Sequence, residues 1–248
     1  MKKSKKYILT DEYLQDVLVR LAHHSSAIEG NTISLADTVS IILHDTIPGN
    51  TSKREYFEIE NHREAFRYVI DHVANGVEMS ITVIKDIHER LTDRLLVDKG
   101  QFKQSENAIL GAEFPAASPR ETPTLMKQWV DNLNYQLKHA QSQKDIISVV
   151  GDFHIQFERI HPFSDGNGRT GRMLMNYSLL EKGSPPLIIR AEDKAEYVNI
   201  LANSDIAKFT QFATQRIQEE SKRLERFMNM NEKAISDPKS TKNHDLEL

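Results

Sequence analysis

The chain has 248 residues, 39% hydrophobic and 27% charged, enough apolar material for a buried core in one large domain or two small ones. Its formal net charge of −4 leaves no basic field to hold a nucleic-acid backbone, and the lack of cysteine excludes a disulfide framework or a thiolate metal site. The basic start MKKSKKYILTDEY offers only Tyr7, Ile8 and Leu9 before acids appear, too few for a signal-peptide core, and no apolar run approaches the length of a membrane span. The expectation is a soluble cytoplasmic protein with no nucleic-acid and no membrane partner.

Apolar spacing is helical almost throughout. Thr10 is placed to cap a first helix with Tyr13, Leu14, Val17, Leu18, Leu21 and Ile28 on one face and Gly30 as its stop. Ser34 caps a shorter stretch, LADTVSIILHD, and IPGNTSKRE reads as a loop. A long helix is expected from about Arg54 to Ala74, with Ile59, Phe66, Ile70 and Val73 inward, and Gly76 ends it. Ser80 opens another with Ile81, Ile84, Ile87, Leu91 and Leu95 in register. Thr122 followed by Pro123 marks a helix start, because proline suits the first turn, where its missing N–H is not needed. Asp145 to Ile160 reads as a buried helix through Val149, Val150, Phe153 and Phe157, and two more cover about Ala191–Ala202 and Ser204–Met228.

One stretch breaks this pattern. SENAILGAEF, Ser105 to Phe114, is short, carries turn residues near its middle and favours a small hairpin. The final NEKAISDPKSTKNHDLEL is polar and aperiodic, so a disordered tail is expected over 229–248. The fold class is therefore all-α with one small β-hairpin.

The chemistry concentrates in HPFSDGNGRTGR, His161 to Arg172. A residue before proline is pushed out of the α region, so the preceding helix ends near Ile160 and His161 leaves it at a stiff corner. Phe163 anchors the loop from beneath, and a new helix with Met173, Tyr177 and Leu180 on its core face follows and ends at Gly183. The loop is thus a helix N-terminus preceded by glycines, where free N–H groups and the helix dipole favour an anion. Gly166 and Gly168 allow close backbone approach, and Asn167 adds an amide donor. Arg169 and Arg172, three apart, share a face and can grip phosphate oxygens. Asp165 beside an anion site suits a hard cation such as Mg²⁺. His161, with an ordinary pKa near ~6.5, can accept a proton at neutral pH. GNG alone is an ordinary turn; nine positions with distinct jobs at one site read as nucleotide transfer.

This stretch resembles the signature HPFxDGNGRxxR of the Fic (filamentation induced by cAMP) family, and SITVIKDIHERL, GQFKQSENAILGAEFPA and PPLIIRAEDKAEYVNIL fall in the order and spacing of a Fic domain covering about residues 10 to 225. The resemblance implies a helical core that moves a nucleoside monophosphate, usually AMP from ATP, onto a protein Ser, Thr or Tyr hydroxyl. It implies that His161 is the base, that Asp165 positions Mg²⁺, that Gly166, Asn167 and Gly168 hold phosphates, and that Arg169 and Arg172 hold the outer ones. It makes the hairpin a flap on which a target segment adds as a strand, with Leu110, Gly111, Ala112 and Glu113 lining the nucleotide. Tyr197 matches a base-contacting position, with Asn203 or Asp205 nearby. Lys103 departs from the family, where arginine is common.

SSAIEGN, Ser25 to Asn31, resembles the family's inhibitory pattern [S/T]xxxE[G/N]. Independently, Glu29 sits at a helix C-terminal end, where the dipole disfavours a carboxylate and a cation would relieve it, and Ser25 one turn earlier can brace it. The resemblance supplies the cation, Arg172, with Gly30 completing the turn. It divides the chain into an inhibitory N-terminal segment (1–33), a Fic core (34–228) and the tail. His23 and His24 acquire no partner from the sequence. The leading expectation is an autoinhibited protein adenylyltransferase using ATP and Mg²⁺ on a target protein or itself. The alternatives are removal of AMP by a Glu29-oriented water, transfer of UMP or phosphocholine, and a non-catalytic module that only holds nucleotide. Association of two copies as a homodimer is left open.

Overall fold

Small hydroxyl side chains set where most of the helices begin. In the computed structural model, which describes residues 9–107 and 115–236 (backbone only for 231–236), Thr10, Ser34, Ser52, Ser80 and Ser142 each accept a bond from the backbone N–H three residues on. They start α1 (Asp11–Ile28), α2 (Leu35–His44), α3 (Lys53–Ala74), α4 (Ile81–Leu91) and α6 (Gln143–Ile160). Between the last two, α5 (Thr122–His139) opens with Pro123 in its first turn. Three helices follow: α7 (Asn167–Glu181), α8 (Lys194–Asn203) and α9 (Ile206–Ser236). There is no strand among the described residues.

The centre is α7. Its residues from Arg169 to Leu180 are all buried, so it has no solvent face and is surrounded by neighbours. It packs on α6, α4, α3 and α1, while α6 also carries α5 and α9. Polar groups on α7 are satisfied locally. Asn176 donates to the carbonyls of Arg172 and Leu187 and accepts from Leu187 N–H, clipping the following segment to the helix.

The first helix belongs to this core. Tyr13, Val17, Leu21 and Ile28 join the same buried cluster as Phe153, Met173 and Phe209. Tyr13 Oη donates to Glu220 Oε1 at 2.8 Å, and Arg20 bridges Asp16 and Glu220, which fastens α1 to α9. A smaller cluster of Val19, Ala22, Ile33, Ile41, Ile42 and Ile59 joins α1, α2 and α3. The helix that carries Glu29 is thus held rigidly on two sides.

Three boundaries differ from the sequence-based expectations. The helix α4 stops at Leu91 rather than reaching Leu95, because Thr92 Oγ1 donates back to His88 O and Arg94 turns to φ 59°. The Ala191–Ala202 helix is split into a single 3-10 turn, Ala191–Asp193, and α8. The last helix continues past Met228 to Ser236, where a disordered tail is expected. That stretch is free of glycine and proline until Pro238 and contains good helix formers. Residues 237–248 of the expected tail, and 108–114 of the expected hairpin with Leu110, Gly111, Ala112 and Glu113, lie outside the described residues. No helix among the described residues is long and apolar enough to cross a membrane.

Close packing of α6 on α9 depends on Gly151: a Cβ there would lie 2.3 Å from Cδ1 of the fully buried Phe209. Overpacking of this kind costs about 1–3 kcal/mol, against a helix-propensity gain of about 1 kcal/mol or less. Gly151→Ala is therefore expected to lower the melting temperature by several degrees in a thermal melt; a rise would mean that Phe209 moves aside freely.

Candidate active site

The site is built where α6 ends and α7 begins. The helix α6 terminates with His161 in the left-handed region (φ 50°, ψ 60°), its N–H donating to Phe157 O at 2.9 Å. Pro162 bars α-helical backbone at this position, and here the escape is left-handed rather than extended. The imidazole Nδ1 lies 3.3 Å from Glu158 O. Donation from Nδ1–H to that carbonyl leaves Nε2 with its lone pair. Burial lowers the His161 pKa, with the Glu158 carbonyl bond opposing and the Lys103 charge assisting, so the ring is neutral at pH 7.

The loop is tied down from below. Phe163 is fully buried and stacks on His88, with ring centres 3.7 Å apart and planes 2° from parallel. Gly100 N–H donates to His88 Nδ1 at 2.9 Å, so Nε2 carries the proton and donates to Asp165 O at 3.0 Å. Asn107 donates to Phe163 O, and the nearly buried Lys103 donates to Asn107 Oδ1 and Ile160 O. The departure to lysine at 103 thus still braces the loop.

Asn167 behaves differently from the expectation that it offers its amide to an anion. Its Oδ1 accepts from Phe163 N–H and its Nδ2 donates to Phe163 O, so the side chain is spent in closing the loop. The anion-facing donors are then the leading backbone N–H groups of α7, which have no intrahelical acceptor. Gly166, at φ 76°, provides the left-handed turn into α7. Gly168 is open for another reason: a Cβ there would fall 2.2 Å from Glu29 Oε1.

A cavity of about 770 Å³ opens over this loop. On one side it is lined by Glu29, Gly30, Arg54 and Glu58, on the floor by His161 and residues 164–169 with Arg172, and on the far side by Glu158 and α8. Glu29 caps α1 and reaches across the cradle. Its Oε1 accepts from Arg172 Nη2 at 2.6 Å, while Ser25 Oγ accepts from Arg172 Nε and Ser25 O from Nη2, both at 2.9 Å. Burial disfavours the Glu29 carboxylate, but the charge and hydrogen bond of Arg172 hold its pKa below the usual range. The same pairing raises the already high pKa of the buried Arg172 despite its desolvation.

Arg169 is the second buried guanidinium and is poorly satisfied. Its Nη1 stands 3.8 Å from Glu58 Oε1, and its Nε and Nη1 have no hydrogen-bond partner among the described residues. Burial pulls its pKa down, with Glu58 the main opposing charge. Buried unpaired N–H donors beside a helix N-terminus are a demand for an anion. Asp165, by contrast, is engaged: its Oδ1 accepts Gly166 N–H at 2.6 Å and its Oδ2 accepts Arg54 Nη2 at 2.8 Å. Burial works against this carboxylate, but Gly166 N–H, Arg169 and Arg54 hold its pKa low.

On the far side, Tyr197 lines the cavity but is almost wholly buried, its hydroxyl 2.6 Å from His154 Nε2. Asn203 does not reach the cavity. Its amide folds back to Asn199, and Asp205 caps α9 through Lys208 N–H. His24 acquires a role the sequence did not suggest, accepting Ala191 N–H. Glu158, Arg54 and His88 were not singled out from the sequence. The signal for His88 was its place in the buried register of α4, four residues after Ile84 and three before Leu91. Glu158 lines the cavity with Oε1 buried and without a hydrogen bond among the described residues, and burial pushes its pKa up to about 7 against the pull of Arg172.

Comparison with known proteins points to one family. Residues 78–179 match the Fic/DOC family. Proteins named protein adenylyltransferase Fic from Drosophila willistoni and Drosophila erecta are 32% and 31% identical over 194 and 197 residues, or 77% of this chain. The chain spans 38% of the length of each of these curated relatives. Among solved structures, a Fic-domain-containing signalling protein from Bacteroides thetaiotaomicron superposes with a TM-score of 0.77 at 26% identity, covering 84% of this chain and 86% of that one. Fic-1 from C. elegans does so with a TM-score of 0.74 at 25% identity, covering 90% and 71%. The chain belongs to the Fic family, and its all-α fold is of the Fic type.

His88 tests the loop support. Burial lowers its pKa to about 4, so it stays neutral in the folded chain while an unfolded histidine protonates below about 6.5. The unfolded state therefore binds the extra proton, and stability contributed by the neutral ring is lost as pH falls from about 6.5 towards 4. His88→Phe keeps the stack on Phe163 but orphans Gly100 N–H and Asp165 O, an expected loss of about 1–3 kcal/mol at pH 7.5. Denaturant titrations should show that deficit narrowing as pH falls from 6.5 to 4.5; a pH-independent gap would mean that His88 does not titrate as a buried neutral ring.

Proposed function

We propose that this chain is a protein adenylyltransferase that moves AMP from ATP to a hydroxyl of a target protein or of itself, and that Glu29 restrains it. The observation that carries this reading is the buried Arg172 fork, held by Ser25 and Glu29 directly above a glycine-lined helix N-terminus and beside a neutral histidine. The names of the curated relatives support the reaction class.

In the transfer, His161 Nε2 accepts the proton of the target hydroxyl as its oxygen attacks the α-phosphorus. The bond from that phosphorus to the bridging oxygen breaks, and diphosphate leaves. The backbone N–H groups at the start of α7 and the unsatisfied N–H groups of Arg169 stabilise the charge that develops on the phosphates. Arg172 holds an outer phosphate and so aligns the α-phosphate with His161.

A divalent cation fits Asp165. The carboxylate adjoins the cradle and already accepts a cationic group, Arg54, and Mg²⁺ is commonly held by one or two carboxylates together with substrate phosphates. Held by Asp165, Mg²⁺ would neutralise part of the phosphate charge. The target strand would dock on residues 105–114.

Glu29 competes with phosphate for one guanidinium. With Glu29 in place, ATP cannot seat its outer phosphate on Arg172, and its α-phosphate is misaligned. Glu29→Gly is expected to speed AMP transfer from α-³²P-ATP by about 5–150-fold, the span of a coupling of about 1–3 kcal/mol. Adding Arg172→Ala should erase that gain. Equal rates for the original and Glu29→Gly proteins would refute the restraint. In the Glu29→Gly background, His161→Ala should lower transfer by about 10²–10⁴-fold with ATP binding retained. ATP bound by the Glu29→Gly protein with no labelled product would instead identify a nucleotide-holding module.

A further inference from the structure

Arg54 stands in the first turn of α3, two residues after its Ser52 cap. A cation there opposes the helix dipole, so helix stability does not explain it. Its side chain is 60% exposed and crosses the mouth of the cavity. Nε donates to Glu58 Oε1 at 3.0 Å and Nη2 donates to Asp165 Oδ2 at 2.8 Å. Glu58 is buried and fixed in turn, since its Oε2 accepts Asn31 Nδ2 at 3.0 Å. Arg54 is therefore tethered at one end by a rigid acid and occupies, at the other, the carboxylate suited to a metal.

The exchange follows from charge. A guanidinium stays charged at any pH relevant to proteins and must face an anion or water. When a divalent cation arriving with nucleotide takes Asp165, the Nη2 of Arg54 loses its acceptor. The Glu58 tether keeps the group inside the cavity mouth, where the phosphate oxygens arrive. We propose that Arg54 is a third phosphate-binding arginine, parked on Asp165 in the resting chain and transferred to the outer phosphates when metal displaces it. The inference rests on the adenylyltransferase reading of the same cavity. It also extends the restraint: Glu29 is an anion in the seat of a phosphate, and Arg54 is a cation in the seat of the metal. Asn31, two residues after Glu29, links the two through Glu58.

The test separates the phosphate contact from competition for Asp165. In a Glu29→Gly/Asp165→Asn background, Arg54 has no carboxylate at 165 to occupy. Isothermal titration with ATP and with AMP, in EDTA, then compares this background with the same protein carrying Arg54→Gln. Loss of one charge-assisted contact should weaken ATP by about tenfold, while AMP, which lacks outer phosphates, should change by less than about twofold and so also reports an intact fold. Equal ATP affinities, or an equal loss for AMP, would overturn the role of Arg54 and leave the adenylyltransferase reading standing. Failure of the Glu29→Gly protein itself to bind ATP would overturn both.

Discussion

A buried guanidinium without an anion is among the most costly groups a folded chain can hold, and Arg172, with only 3% of its surface exposed, would be such a group without a partner. Its place is set by α7, whose packing on four other helices leaves it no freedom to swing into solvent. The anion must come to the arginine. In the resting chain it is Glu29, supported by two contacts from Ser25. Under the proposed function, a polyphosphate would compete with Glu29 for the same fork. Because the contest is for a single planar donor set, it is closer to exchange than to gradual weakening.

The surrounding electrostatics keep that contest local. His62, His88 and His154 are buried with pKa values of about 3, about 4 and about 3, so none adds charge near neutrality. Burial is the leading cause in each. Charge at the cavity is left to its arginines, its acids and Lys194. Arg172 faces Glu29, Arg54 faces Asp165 and Glu58, and Arg169 stands 3.8 Å from Glu58. The partial satisfaction of Arg169 marks the direction from which an anion would enter. The neutral His161, by contrast, depends less on charge than on geometry: a left-handed helix end, a carbonyl on Nδ1 and a loop pinned by Phe163, His88 and Asn107.

Much of the fold was legible because its signals are local. Serine and threonine caps announce helix starts by a bond three residues on, and the apolar rows of α1, α3 and α6 repeat at the helical period. The errors have local causes too: Thr92 bonded its own helix and ended α4 early, and the stretch after Met228 carried polar residues that are also good helix formers. At the site, His161, Asp165, Arg169 and Arg172 line one cavity. Asn167 is in the loop but turned inward, since an amide can satisfy a tight backbone turn as well as an anion. Tyr197 reaches the cavity wall from within the core, and Asn203 falls beyond it, one side of α8 being all that faces the site.

By itself the sequence determined what neighbours within a turn can determine: the helix faces, the caps, the break at Pro162 and the constellation of a histidine, an acid and two arginines within twelve residues. Tertiary structure decided which distant groups meet them. Glu29 reaches Arg172 across 143 positions, Arg54 reaches Asp165 across 111, and His88 reaches the Asp165 carbonyl across 77. Periodicity cannot report such pairs, because it records only which side of a helix is apolar. Their meeting depends on the packing of α1, α3 and α4 against α7, which places three helix ends around one cradle, and on the cost of leaving a buried charge without its opposite.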